Sequence, residues 1–362
     1  MSAGTRVSRG ATETRHLALR HETRHLALRE PFRIARSSHG AGQRVTTVIV
    51  ELRDPRHPSL VGYGEGYPDR FYGETPETMA AIFPDLLAVI GEPDWSSEGL
   101  DVASRRLQGS IRWNGAAKCA LDVALHDLAG KVLGQTAPEL VGVDGLRPPT
   151  DFTIGLDAPD VVAERARRAG AFPALKIKVG GPADLETLRA VRAVYDKPIR
   201  VDANTGWTPD VARTLVDELV DLGVELIEQP FPAGRLDWLA ALQRESPLPI
   251  VADESCVTED DLDGLVGVVA GVNVKLAKCG GLGPAARMLR RARDLGFRAF
   301  LGCMEETSVV IAASAAVAPL AEWIDLDGNL LLADDPFAGL TLGDDHRWQL
   351  SGRPGLGVEP RT

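Results

Sequence analysis

From about residue 150 onward, short apolar runs alternate with longer stretches of helical periodicity. The runs read DFTIGL (151–156), ALKIKVG (174–180), PIRVDANTG (198–206), GVELIEQP (223–230), PIVADES (249–255), GVNVKLAKCGG (271–281), RAFLGCM (298–304) and EWIDLDG (322–328). They recur at roughly 25-residue spacing, as successive βα units do in a parallel barrel of about 250 residues. The eighth run leads into a Pro- and Gly-rich tail rather than a helix. The expected fold is therefore α/β: a modified TIM barrel, (β/α)7β, over residues 146–333.

The first part of the chain has a different texture. TTVIVEL (46–52) and VGYGEG (61–66) alternate like strands and are separated by Asp54, Pro55 and Pro58, which predicts an antiparallel meander. Further on, Ala117, Ala120, Leu121, Ala124, Leu125 and Leu128 recur at helical spacing, predicting a helix with one apolar face. Residues 24–145 thus form an α+β capping domain. Residues 334–362 are too few to fold alone and are expected to return to it. The octapeptide ETRHLALR occurs twice, at 13–20 and 22–29. Two copies are too few for a repeat architecture. The second runs into Pro31 and Phe32 and is read as the first strand, leaving residues 1–23 as a disordered extension.

Composition narrows the field. The 362 residues are 44% hydrophobic and 25% charged, which is globular usage. The net charge of −11 and the lack of a basic run exclude nucleic acid as a natural partner. No window approaches the roughly 20 consecutive apolar residues of a membrane span. The Arg-, Thr- and His-rich start lacks the apolar core of a signal peptide, so a cytoplasmic location is expected. Cys119, Cys256, Cys279 and Cys303 are scattered, without the paired spacing of a zinc site, and read as free thiols.

The candidate chemistry lies where the apolar runs end. A barrel strand should be nearly continuous Val, Ile and Leu. Here the last positions carry Lys176 and Lys178, Asp202 and Asn204, Glu228, Asp253 and Glu254, Lys275 and Lys278, Glu306, Asp325 and Asp327. Strand C-termini form the active-site rim of a barrel, and buried charges are costly unless paired or bound to metal. Asp202, Glu228 and Asp253 end three successive strands and should converge. Three hard oxygen donors without His or Cys point to Mg²⁺. Lys176 and Lys178 share a strand face. Lys275 stands on the sixth strand, opposite the second, leaving a slot between Lys178 and Lys275 for a carbon next to a metal-bound carboxylate. Lys176 and Mg²⁺ nearby should lower the pKa of a lysine base.

These residues resemble the enolase superfamily, specifically its muconate lactonizing enzyme subgroup, over nearly the whole chain from about Arg24. The resemblance rests on Lys176-Ile-Lys178, Asp202 in VDANTGW, Glu228 in IEQP, Asp253 in ADES, Lys275 in NVKLAKCGG and the closing PGLGVEP. A lysine base with Mg²⁺ is a known pattern of that superfamily. On the eighth strand, Asp325 and Asp327 look like the paired acids of dipeptide epimerases, which receive a substrate's α-ammonium group. The resemblance implies an isomerase that inverts the C-terminal residue of a dipeptide by two-base 1,1-proton transfer between Lys178 and Lys275. It further implies substrate contacts from Thr153, Lys176, Arg36, Cys303, Met304 and Glu306, and a structural role for Lys278. Arg36, in the loop 31–44, falls near the arginine that meets a glutamate side chain in L-Ala-D/L-Glu epimerases. Arg70 and Tyr72 are further candidates in the second capping loop. A homo-oligomer is left open, since many relatives form dimers or octamers. The alternatives are an N-acylamino acid racemase, an o-succinylbenzoate synthase or a cycloisomerase on the same scaffold, or a non-catalytic binding protein. The paired aspartates argue against the first three, whose substrates carry no free ammonium.

Overall fold

The computed structural model describes residues 17–36 and 44–361. Its N-terminal sheet is an antiparallel meander of β1 (Ala18–Ala27), β2 (Arg44–Arg53) and β3 (Gly62–Gly66). β1 differs from expectation. It draws Ala18, Leu19 and Arg20 from the first octapeptide copy and pairs in unbroken register from Ala18–Arg53 to Ala27–Arg44. β2 is ten residues long, and its edge facing β1 offers backbone groups along its whole length for an extended neighbour. The first copy is thus part of the sheet from that point on; Glu13–His16 lie outside the described residues.

Three helices, α1 (Pro76–Ile90), α2 (Ser97–Gly109) and α3 (Gly115–Leu133), complete the capping domain. α3 is buried on every side rather than along one stripe. It lies between the meander and the barrel, so its polar residues are buried too and must find partners. Asp127 accepts the backbone amides of Tyr63 and Leu356, both at 2.8 Å, and pairs with Lys131 at 2.6 Å. That contact ties the C-terminal segment back to α3, where Thr136 and Gly355 also form a bridge. The alternating glycines of β3 allow the approach: a Cβ on Gly62, Gly64 or Gly66 would strike the carbonyl oxygens of Ala124, Ala120 or Ala116.

The second sheet is parallel and runs in sequence order through β4 (Phe152–Ile154), β5 (Leu175–Lys178), β6 (Ile199–Asp202), β7 (Val224–Glu228), β8 (Ile250–Ala252), β9 (Gly271–Lys275), β10 (Arg298–Gly302) and β11 (Trp323–Ile324). A bridge between Thr150 and Ile324 closes it into a ring. Helices follow the first seven strands, and only the one-turn helix Gly328–Leu331 follows the eighth. This is the (β/α)7β barrel read from the strand spacing. Its strands are short because each stops being apolar where it meets the mouth. Among the described residues, no helix is long and apolar enough to cross a membrane.

Candidate active site

The barrel mouth is floored by carboxylates in neighbouring registers. Lys178 pairs with Asp202 across β5–β6, Asp202 with Glu228 across β6–β7, and Asp253 directly follows β8. One oxygen from each of Asp202, Glu228 and Asp253 lies within 4.8 Å of the others, and all three residues are at most 1% exposed. Asp202 accepts the amide of Asn204 at 2.9 Å, and Glu228 accepts Asn273 Nδ2 at 2.7 Å. Burial and the neighbouring Asp202 push the Glu228 carboxyl up to about 7. Burial would also raise Asp202 and Asp253, but the lysines around them hold both below the usual carboxylate range. Three buried, convergent hard donors with repelling charges fit a divalent cation such as Mg²⁺, as the residue types suggested.

Four lysines surround these acids, in different situations. Lys178 Nζ donates to Asp202 at 2.6 Å and Lys275 Nζ to Asp253 at 2.9 Å. β5 and β9 are four places apart in the eight-strand ring, so the two lysines stand on opposite walls. Both line a cavity of about 650 Å³ under the capping loops. Lys176 does not reach that cavity. It is fully buried, with Nζ 2.8 Å from Glu228, 2.9 Å from Asp325 and 3.2 Å from Asp202. Lys278 is spent on structure, holding Asp253 Oδ1 at 2.5 Å and three backbone carbonyls. At Lys275 the protein's own groups pull the pKa in both directions. Burial and Lys176 pull it down, but the charges of Asp253, Glu228 and Asp202 outweigh them and raise it.

The eighth-strand acids open onto the same cavity, beside Thr153. Thr153 Oγ1 donates to Asp325 at 2.8 Å, and its amide donates to Asp327 at 2.6 Å. Despite burial, Lys176 keeps Asp325 ionised. Burial and the charge of Asp325 push Asp327 well above the carboxylate range. Two adjacent carboxyl groups facing one cavity can accept a positive group there.

The capping loops are braced differently from expectation. Arg36 lines the cavity, but its guanidinium donates to Glu254 at 3.0 Å and to Asp69 at 3.1 Å, and sits 4.5 Å from the Phe71 ring. It links both loops to the barrel rather than standing free for a substrate carboxylate. The Tyr72 hydroxyl is buried without a hydrogen-bond partner among the described residues. Arg70, Cys303 and Met304 line the cavity, whereas Glu306 lies behind its wall and Glu305 lines it instead. Burial and Glu65 push the Glu306 carboxyl up to about 8. Asp69 and Glu305 escaped the reading of the sequence. Asp69 had a signal, since an acid two residues before Phe71 caps the turn Arg70–Tyr72.

Residues 17–142 match the family model "Mandelate racemase / muconate lactonizing enzyme, N-terminal domain", and residues 160–362 match "Enolase C-terminal domain-like". The chain is 38% identical over 319 residues to the L-Ala-D/L-Glu epimerase of Bacteroides thetaiotaomicron, covering 87% of this chain and 82% of that one. It is 37% identical over 346 residues to the L-Lys-D/L-Arg epimerase of Methylococcus capsulatus, covering 91% and 94%. The crystal structure of a dipeptide epimerase from Methylococcus capsulatus, complexed with Mg and L-Arg-D-Lys, superposes with a TM-score of 0.85 at 35% identity, covering 95% of this chain and 99% of that one.

Proposed function

The chain belongs to the mandelate racemase and muconate lactonizing enzyme family of enolase-like proteins, and from that premise we propose that it is a Mg²⁺-dependent dipeptide epimerase. One observation carries the reading. Asp325 and Asp327 open onto the same cavity as Lys178 and Lys275, so an ammonium receptor and two opposed amines serve one ligand. Solved relatives that hold Mg and a dipeptide support it.

In this reading the dipeptide's α-ammonium meets Asp327 and Asp325, and its C-terminal carboxylate lies toward Asp202, Glu228 and Asp253. Mg²⁺ on these three acids would supply positive charge where the carboxylate oxygens gather it as the α-proton leaves. A cation held by the triad would offset the acids that raise Lys275, leaving burial to favour the neutral amine a base needs. One lysine, as the amine, takes the α-proton from its face. The other, as the ammonium, returns a proton to the opposite face. Each turnover exchanges the charge states of the two lysines and leaves the peptide inverted at one carbon. The capping loops, tied down through Arg36, keep water from the carbanionic carbon.

A library of dipeptides incubated with enzyme and Mg²⁺ in D₂O tests this, scored by mass. Dipeptides with a free amino terminus are expected to gain one deuterium at the C-terminal residue's α-carbon, while N-acylated amino acids gain none. Exchange confined to the acylated compounds would replace the reading with a racemase. The same screen reports which side chains are preferred.

A further inference from the structure

Immediately after the metal-ligand candidate Glu228, Gln229 adopts a left-handed backbone, with φ of +32°, although it is not glycine. It is also fully buried. A non-glycine residue stays in that region only where its surroundings over-determine it, and such residues cluster at functional sites. Here the surroundings are specific. The Gln229 amide donates to Val251 O at 2.9 Å, and its carbonyl accepts the amide of Thr205 at 2.8 Å. Thr205 lies three residues after Asp202 and is left-handed as well, with φ of +69°.

The side chain goes further. Gln229 Nε2 donates to Phe231 O at 2.7 Å and to Ser255 Oγ at 2.9 Å. Gln229 Oε1 accepts the amides of Asp253 at 2.9 Å and Ser255 at 3.0 Å. Both donor and both acceptor positions of the carboxamide are used. One residue therefore touches all three ligand-bearing strand ends: that of Asp202 through Thr205, that of Glu228 through its own peptide bond, and that of Asp253 through its side chain. The lysines offset the repulsion among the three carboxylates, while the Gln229 bonds join the backbones that carry them.

We infer that Gln229 is the positioning residue that sets the metal site, joining the three strand ends so that Asp202, Glu228 and Asp253 converge. The inference rests on reading those acids as the Mg²⁺ ligands. Gln243, on the helix Leu236–Glu245, provides a structural control. Gln243 Oε1 accepts the amides of Ile250 at 2.8 Å and Ala270 at 2.9 Å, making a comparable brace at the far end of β8.

Calorimetric titration of the metal-free protein with MgCl₂, alongside its melting temperature, separates the roles. Gln229→Glu keeps the shape but loses the two donors, and Gln229→Leu loses all four bonds. Both are expected to bind Mg²⁺ about 10- to 100-fold more weakly than wild type. Gln243→Leu is expected to melt earlier yet bind Mg²⁺ as wild type does. Wild-type affinity in a folded Gln229→Glu or Gln229→Leu variant overturns the brace. Equal losses of affinity in the Gln229 and Gln243 variants overturn it too. Wild type that binds no Mg²⁺, or binds it unchanged after Glu228→Gln, overturns the underlying metal site instead.

Discussion

Individual side chains decide the chemistry, and the two opposed lysines make the sharpest demand. Lys178→Ala and Lys275→Ala should each lower epimerisation by about 10²- to 10⁴-fold, the usual contribution of a positioned acid or base. Each variant should still exchange the α-proton of one epimer, because the surviving amine reaches one face. Proton NMR in D₂O, started separately from the two epimers, reads this directly. Exchange from both epimers in both variants would refute the two-base arrangement. These lysines were legible in the sequence because a charge ending an apolar strand has few innocent explanations. Their neighbours were less so. Lys176 shares the strand and face of Lys178, yet ion pairs with acids from three other strand ends hold it below the cavity floor. Glu305 and Glu306 are adjacent in a turn after β10, and only the turn determines which faces the cavity. Arg36 was expected near a substrate, but its partners, Asp69 and Glu254, are 33 and 218 residues away in the chain.

Between elements, the joint to examine is the one linking the capping domain to the barrel. Glu65, on β3, accepts the amide of Thr307 at 3.0 Å and its hydroxyl at 2.5 Å, holding the residue that caps the helix Ser308–Val317. Thr47 donates to the same carboxylate at 2.8 Å. Burial outweighs these bonds and pushes the carboxyl up to about 7. A raised carboxyl contributes stability that is complete below its unfolded pKa and lost as pH rises through the folded one. Wild type should therefore lose stability relative to Glu65→Gln between about pH 4.5 and 7, by on the order of 3 kcal/mol. Urea unfolding at a series of pH values checks it, and parallel curves for the two proteins would rule it out. Glu65 sits in a strand that VGYGEG predicted, but nothing in that run named the helix terminus it would hold. α3 shows the same limit. Its apolar spacing predicted the helix, while the barrel on its far side buried the face expected to meet solvent.

At the scale of the whole molecule, three buried acids converge within 4.8 Å of one another only in the folded chain, so ion binding and folding should be linked. Mg²⁺ at about 100 times its dissociation constant should stabilise the protein by ~2.7 kcal/mol. A scan of melting temperature with MgCl₂, and again with EDTA, should show a rise of a few degrees that Asp253→Asn abolishes. An identical shift in that variant would place the ion elsewhere. The sequence by itself determined the barrel, its strand order, the acids and lysines at its mouth, and the family they resemble. It could do so because strand periodicity and charges at strand ends are local, readable within a few residues of each position. Only the tertiary structure decided which of those charges reach the cavity, what Arg36 holds, how far the first strand extends into the duplicated segment, and that Gln229 joins three strand ends. These depend on contacts between residues tens to hundreds of positions apart, and the pattern along the chain does not specify them.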